Sequence, residues 1–361
     1  MKNFTQMSCA VLLIAILVLT GCSGGNASSS TLPASPAPSS SASESVSDAP
    51  KGAEFNLRIG LNGSEEHVFV QGVRMIEKKI EEKSNGRIQV EVFPNSVLGA
   101  EREMIEQTIM GSIEMAVVAA DGATPAWVPD TQIFTVPYLF TSTEEARNAA
   151  DNFLLDYLEP GFESEGLRNF GFFELGFRHF TNNKRAISKA EDMKGLVIRV
   201  QESPAWQTLM ERLGSTPTPL AVNELYGALQ QGVVDGQENP LSTIVAQKFY
   251  EVQKHLVLDG HTYCAGAILM NLNFYNGLSD ADKELITSCI DEAIAEQRGL
   301  VEQKDAEYLQ ICKDNGMEIV ENPDLDSFKA ATANFGETEA VKALFDTSLI
   351  GKVQEFLAAN S

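Results

Sequence analysis

From Glu54 onward the apolar positions switch between two periods. Phe55 to Leu61 alternates with period two, and Phe69, Val73, Ile76 and Ile80 then recur at spacings of four, three and four, which predicts a strand followed by a helix. Ser84-Asn85-Gly86 closes that helix, Ile88 to Phe93 alternates again, Met104 to Met110 sits in a second helix ended by Gly111, and Ile113 to Ala119 reads as a buried strand. A β-α-β-α-β series predicts a largely parallel sheet covered by helices, with ligands taken at the carboxyl ends of its strands, where Asn62 and Asp121 stand. A second α/β region follows. Gly195 to Val200 and Val233 to Asp235 read as strands, and Pro204 to Leu213 and Val222 to Gln231 as helices. Beyond Asn271 the pattern is helical. Ser279 opens a long helix running toward Leu309, and further helices are predicted over Asp326 to Ala333 and Thr338 to Leu357.

The first fifty residues follow another logic. Met1 to Gly21 carries Lys2 and then an apolar run from Ala10 to Leu19, far short of the ~20 residues that cross a bilayer as a helix, so 1–21 reads as a signal peptide. The run ends in Leu19-Thr20-Gly21-Cys22, which resembles the bacterial lipobox and implies cleavage before a lipidated Cys22. Residues 22–53 are rich in Ser, Ala and Pro and form a tether, leaving 54–361 as the folded part. That part is expected on the outer face of the bacterial cell membrane, held there by its lipid alone.

Charge and cysteine usage narrow the function classes. The 361 residues hold 50 Asp and Glu against 27 Lys and Arg, a formal charge of −23, which argues against nucleic acid as a partner. The five cysteines form no Cys-x-x-Cys pair and the four histidines no His-Glu-x-x-His spacing, so neither a structural zinc site nor a disulfide scaffold is expected; no other metal and no cofactor is expected either. Three cysteines follow the anchor, and Cys264 is a candidate for the cleft wall.

Binding chemistry is sought where charge meets an apolar setting. Arg199 sits in the strand Leu196-Val197-Ile198-Arg199-Val200, and its planar fork suits a carboxylate, with an internal ion pair as the alternative. The segment Gly232 to Pro240 reads as a strand entering a polar turn; Pro240 biases Asn239 to extended geometry, and its amide either points into a cleft or stabilises the turn. Arg178 and His179 lie between aromatics in Gly176 to Asn183, which reads as a solvated loop. Trp206 reads as core or cleft wall, and His67, His255 and His261 as structural.

These segments carry a family resemblance. Asn85-Gly86-Arg87-Ile88, Phe93 to Gly99, Gly195 to Val200, Pro217-Thr218-Pro219, the long run Glu224 to Pro240 and Lys248 to Lys254 resemble the solute-binding subunits of tripartite ATP-independent periplasmic (TRAP) transporters. The resemblance spans about Glu54 to Ser361. It implies the two-lobed periplasmic-binding-protein fold: mixed, mostly parallel sheets covered by helices, and a long linking helix. Lobe 1 is expected over about 54–176 plus part of the C-terminal helices, and lobe 2 over about 177–270. It also implies that the signature arginine pairing with the ligand carboxylate is Arg199, that Asn239 helps hold that carboxylate, that Arg178 is the upstream arginine and that Asn62 closes the first strand. The partners implied are a small organic acid and an ion-driven TRAP permease.

Departures from the family pattern bear on the ligand. The arginine that sialic-acid binders carry after the third strand is missing from Asp121-Gly122-Ala123-Thr124, and Val222 stands where they have a phenylalanine, which disfavours sialate. Glu202, three residues past Arg199, resembles the sugar-acid binders; a carboxylate there accepts hydroxyl hydrogen bonds and repels a second ligand carboxylate. A sugar acid such as a uronate is therefore expected ahead of a C4-dicarboxylate, unless Glu202 is merely solvated or pairs with Arg178. The rival reading is a surface hydrolase of acidic sugars using Glu202 and Glu238 as a carboxylate pair.

Overall fold

The computed structural model describes residues 54–360; the leader, Cys22 and the tether lie outside the described residues. The chain opens with β1 (Phe55–Leu61), α1 (Val68–Lys83), β2 (Ile88–Phe93), α2 (Glu101–Met110) and β3 (Met115–Ala119). Next come α3 (Thr143–Ala149), α4 (Leu155–Ser164) and the long strand β4 (Leu167–Asn182). The second region holds β5 (Val197–Val200), α5 (Pro204–Arg212), β6 (Thr216–Pro219), α6 (Val222–Gln231), β7 (Gly236–Pro240), α7 (Leu241–Ala246) and β8 (His255–Val257). The chain ends with β9 (Tyr263–Asn271), α8 (Leu272–Gly277), α9 (Asp280–Asp314), β10 (Glu318–Val320), α10 (Leu325–Thr332), α11 (Glu339–Lys342) and α12 (Ser348–Ala359).

Local chemistry places these elements as the pattern predicts. The face Phe69, Val73, Ile76 and Ile80 of α1 is buried, and His67 caps the helix by accepting the Phe69 N–H. Gly111 and Gly232 end α2 and α6 with φ of 73° and 70°, a left-handed geometry that suits glycine. The Ser279 side chain caps α9 by accepting the Asp282 N–H.

Two sheets share β4. The first has the order β2-β1-β3-β9-β4, parallel from β2 to β3 and antiparallel where β9 joins β3 and β4. The second has β6, β5 and β7 in parallel; β7 and β8 flank the end of β4 antiparallel to it, and β10 lies parallel to β8. The first half of β4 belongs to one sheet and Arg178 to Asn182 to the other. Helix α9 packs along α1, β4 and α7.

Four expectations need correction. Gly176 to Asn183 is no solvated loop: all but Asn183 belong to β4, and Arg178 and Phe180 to Asn182 are buried because β7 and β8 cover that end of the strand. The predicted strand at Val233 to Asp235 begins later, at Gly236, leaving Val233 61% exposed. Gly236 fixes that register, since a Cβ there would sit 2.1 Å from the Thr181 carbonyl oxygen of β4. Thr338 to Leu357 divides into α11 and α12. The boundary of lobe 2 at about 270 also shifts, because Tyr263 to Asn271 returns to the first sheet to pair with β3 and β4.

Candidate functional site

Parallel strands deliver their carboxyl ends to one rim, and a narrow cavity of about 50 Å³ opens there. Asn62 lies just past β1, Ala119 and Gly122 at the end of β3, Arg199 on β5 with Gln201 and Glu202 after it, and Asn239 on β7. Arg178 from β4, Cys264 from β9 and Glu101 from the start of α2 complete the wall. Asn62, Arg178, Arg199, Glu202 and Asn239, far apart in sequence, thus share one cavity. Asp121 does not line it. It is fully buried, with its Oδ1 4.0 Å from the Cys264 sulfur.

The two arginines are in different electrostatic states. Arg178 donates through Nε and Nη2 to the Glu238 carboxylate, and Nη2 also reaches the Glu238 carbonyl at 2.8 Å and Asn239 Oδ1 at 3.1 Å. Its Nη1 faces the Cys264 sulfur at 3.0 Å, and its guanidinium lies 5.0 Å from the ring centre of Trp206. Behind it, His261 bridges Asp259 at 2.8 Å and Glu238 at 3.4 Å, with Phe180 stacked on its ring. Burial opposes charge on His261, but the two carboxylates push it up to about 9. Burial would raise the Glu238 carboxyl too, yet Arg178 and His261 hold it below the usual range. Two cations and two carboxylates thus form a closed, balanced set.

Arg199 has no such partner. Its Nε donates to the Leu220 carbonyl at 2.8 Å, while neither terminal nitrogen makes a hydrogen bond among the described residues. Burial lowers its pKa to about 10, with Arg178 working the same way and Glu238, Glu101 and Glu202 opposing. A guanidinium 2% exposed with both Nη groups open to a cavity is a ready fork for a carboxylate.

Glu202 is exposed at the cavity edge and is not the partner of Arg178, a place Glu238 fills. This removes the hydrolase reading, since Glu238 is wholly buried in its ion pair and has no face on the cavity. Glu101 escaped the sequence reading. Its carboxylate crosses from α2 to accept the Ala119 N–H at 2.9 Å. An acid at a helix start reads as a partner for its own helix, and nothing local announces the crossing. The buried pair of Glu238 and His261 was equally hidden.

A much wider cavity of about 1010 Å³ lies among α3, β4, α9 and α10. Acids dominate its wall, and its Arg147 is already bound to Glu174 at 2.7 Å, so it offers no open arginine. The narrow cavity is where an anion would be held.

Two sheets sharing a strand, with an uncommitted arginine at their common rim, define a two-lobed receptor for a small anion. Residues 59–340 match the family described as "Bacterial extracellular solute-binding protein, family 7", and the chain belongs to that family. A solute-binding protein of Verminephrobacter eiseniae is 36% identical over 281 residues, 78% of this chain and 84% of its own length. A TRAP periplasmic solute-binding protein of Bordetella bronchispeptica, its density assigned to pantoate, is 37% identical with a TM-score of 0.79, over 83% of this chain and 98% of its own. Another, from Polaromonas sp. JS666 and bound to D-erythronate, is 34% identical with a TM-score of 0.78, again over 83% and 98%. The protein is an extracytoplasmic solute receptor of a TRAP transport system, a binding protein and not an enzyme, serving membrane permease subunits.

Proposed function

We propose that the chain captures a hydroxylated monocarboxylate, a sugar acid or shorter aldonate, and hands it to its permease from a lipid tether at Cys22. The observation that carries this reading is the Arg199 guanidinium, buried with both terminal nitrogens uncommitted. Arg199 takes the ligand carboxylate in a fork, while Arg178, held by Glu238, fixes Asn239 beside it. Asn62 and Glu202 contact hydroxyls across the cavity, and Glu202 repels a second carboxylate. Asp121 acts only through its field, from behind Cys264. The hydroxy acids held by the Polaromonas and Bordetella proteins fit this chemistry. A cavity of about 50 Å³ is far smaller than the ~300–1,000 Å³ of ordinary small-molecule sites, so the lobes part for entry and close over the ligand.

Thermal shift and calorimetry with D-erythronate, pantoate, galacturonate, succinate and uncharged erythritol test the reading. Hydroxy monoacids are expected to stabilise the protein, about 2.7 kcal/mol at a hundred times the dissociation constant. Arg199→Ala is expected to lower affinity by two to three and a half decades, the ~3–5 kcal/mol lost when a buried charge loses its partner. Equal stabilisation by erythritol would defeat the role of Arg199. The anchor is tested apart: Cys22→Ser should move the protein from the membrane fraction to the soluble one.

A further inference from the structure

The buried ion set leaves an imbalance at the cavity. Arg178 is neutralised by Glu238 and His261 by Asp259. That leaves Arg199 as the uncommitted cation of the cavity among the described residues, with Glu101 and Glu202 on the same wall and Asp121 buried 4.0 Å from the Cys264 sulfur. A ligand carboxylate would add a fourth negative charge against one positive. In a closed cavity of low polarisability that sum is costly, and the least expensive correction is a proton.

Geometry selects the group that takes it. Glu101 Oε2 and Gln201 Oε1 crowd the same spot above Gly122, where a Cβ would sit 2.6 Å from the first and 2.8 Å from the second. Two bare oxygens facing one spot repel, whereas a carboxylic acid there donates to the amide oxygen. The Gln201 side chain, 7% exposed, turns its NH2 end toward Asp121, whose carboxyl it favours in the ionised form against the rise that burial causes. The amide thus presents its acceptor to Glu101 and its donor to Asp121, the orientation expected for a neutral Glu101 beside an ionised Asp121. Burial, reinforced by Asp121 and opposed by the Ala119 N–H, Arg199 and Arg178, raises the Glu101 pKa to about 7.

We infer that Glu101 is the proton acceptor of the binding reaction: the ligand anion enters the cavity together with one proton from solvent, which resides on Glu101 in the closed complex. This rests on the carboxylate-receptor reading given above. Glu101 then presents a hydroxyl donor rather than a second negative charge to the ligand, and binding weakens as the medium becomes alkaline.

Calorimetry of the intact folded domain with D-erythronate, in two buffers of different ionisation enthalpy, reads proton uptake directly without any variant. Uptake near one proton per ligand is expected at pH 8, falling toward zero at pH 6, with the dissociation constant rising up to tenfold per pH unit above 7. Glu101→Gln keeps the acceptor for the Ala119 N–H and should hold the dissociation constant within twofold from pH 6 to 8.5. Tight D-erythronate binding at pH 8 with buffer-independent enthalpy would overturn the inference and leave the receptor reading intact. Binding of erythritol as strong as D-erythronate would instead overturn the receptor reading, on which the inference depends.

Discussion

Raising the pH from 7.5 to 8.5 should destabilise the fold through His261. Its folded pKa is about 9 against an ordinary histidine value of about 6.5, because Asp259 and Glu238 flank its two ring nitrogens. A raised pKa means stabilisation complete below pH 6.5 and lost as the pH climbs through 9. The whole effect is about 3 kcal/mol, and nearly one proton separates the folded and unfolded states across the chosen window, so about 1 kcal/mol is lost there. His67 and His179, lowered to about 4 by burial, contribute stability that is already full above 6.5. Glu101 completes most of its own loss by pH 7. The buried thiols of Cys264, Cys289 and Cys312, all raised, add a loss of the same sign that sets in toward the ordinary thiol range of about 8.5 and is felt at the top of the window. Urea unfolding at pH 7.5, 8.0 and 8.5, at constant ionic strength, measures the slope. His261→Asn should start less stable and lose the part of the slope between pH 7.5 and 8.0, keeping only the thiols' loss near pH 8.5. A wild-type free energy that stays flat across the window would show that His261 is not held as a buried cation, and the balanced set around Arg178 would have to be redrawn.

Gly266→Ala should cost about 1–3 kcal/mol in the same assay, because its Cβ would sit 2.1 Å from the Phe69 ring, a small-to-large change in a packed core; stability equal to wild type would deny that contact. The three thiols should stay unreactive toward an aromatic disulfide reagent in the native protein and react on unfolding, since all are buried. Rapid native labelling of Cys264 would mean that the cavity opens far more freely than its volume suggests. Glu202→Ala should let succinate compete with D-erythronate, as a negative wall group disappears; a larger loss of succinate binding than of D-erythronate binding would contradict the repulsive role.

The first lobe was legible because its information is local. Period-two runs, a helix face at four, three and four, and a left-handed glycine at Gly111 each act within a few residues. Arg199 was legible for a related reason: an arginine inside an apolar strand announces an unmet charge wherever the strand packs. The second half of β4 was not. Read alone, Arg178-His179-Phe180-Thr181-Asn182 is too polar for a covered strand, and only the distant Glu238, Gln237 and Asp259 make its burial tolerable. The same dependence hides Gln237-Glu238-Asn239, whose partners lie about sixty residues upstream on β4, so a buried strand looked like a turn. Glu101 failed in the opposite direction, since a helix-start acid has a sufficient local explanation and none of its neighbours in sequence points toward Ala119. Polar residues that satisfy each other across the fold are silent in one dimension. The uncommitted arginine is not, because among the described residues no carboxylate forms an ion pair with it; the same lack of an answer makes Arg199 the place where the ligand's carboxylate is expected.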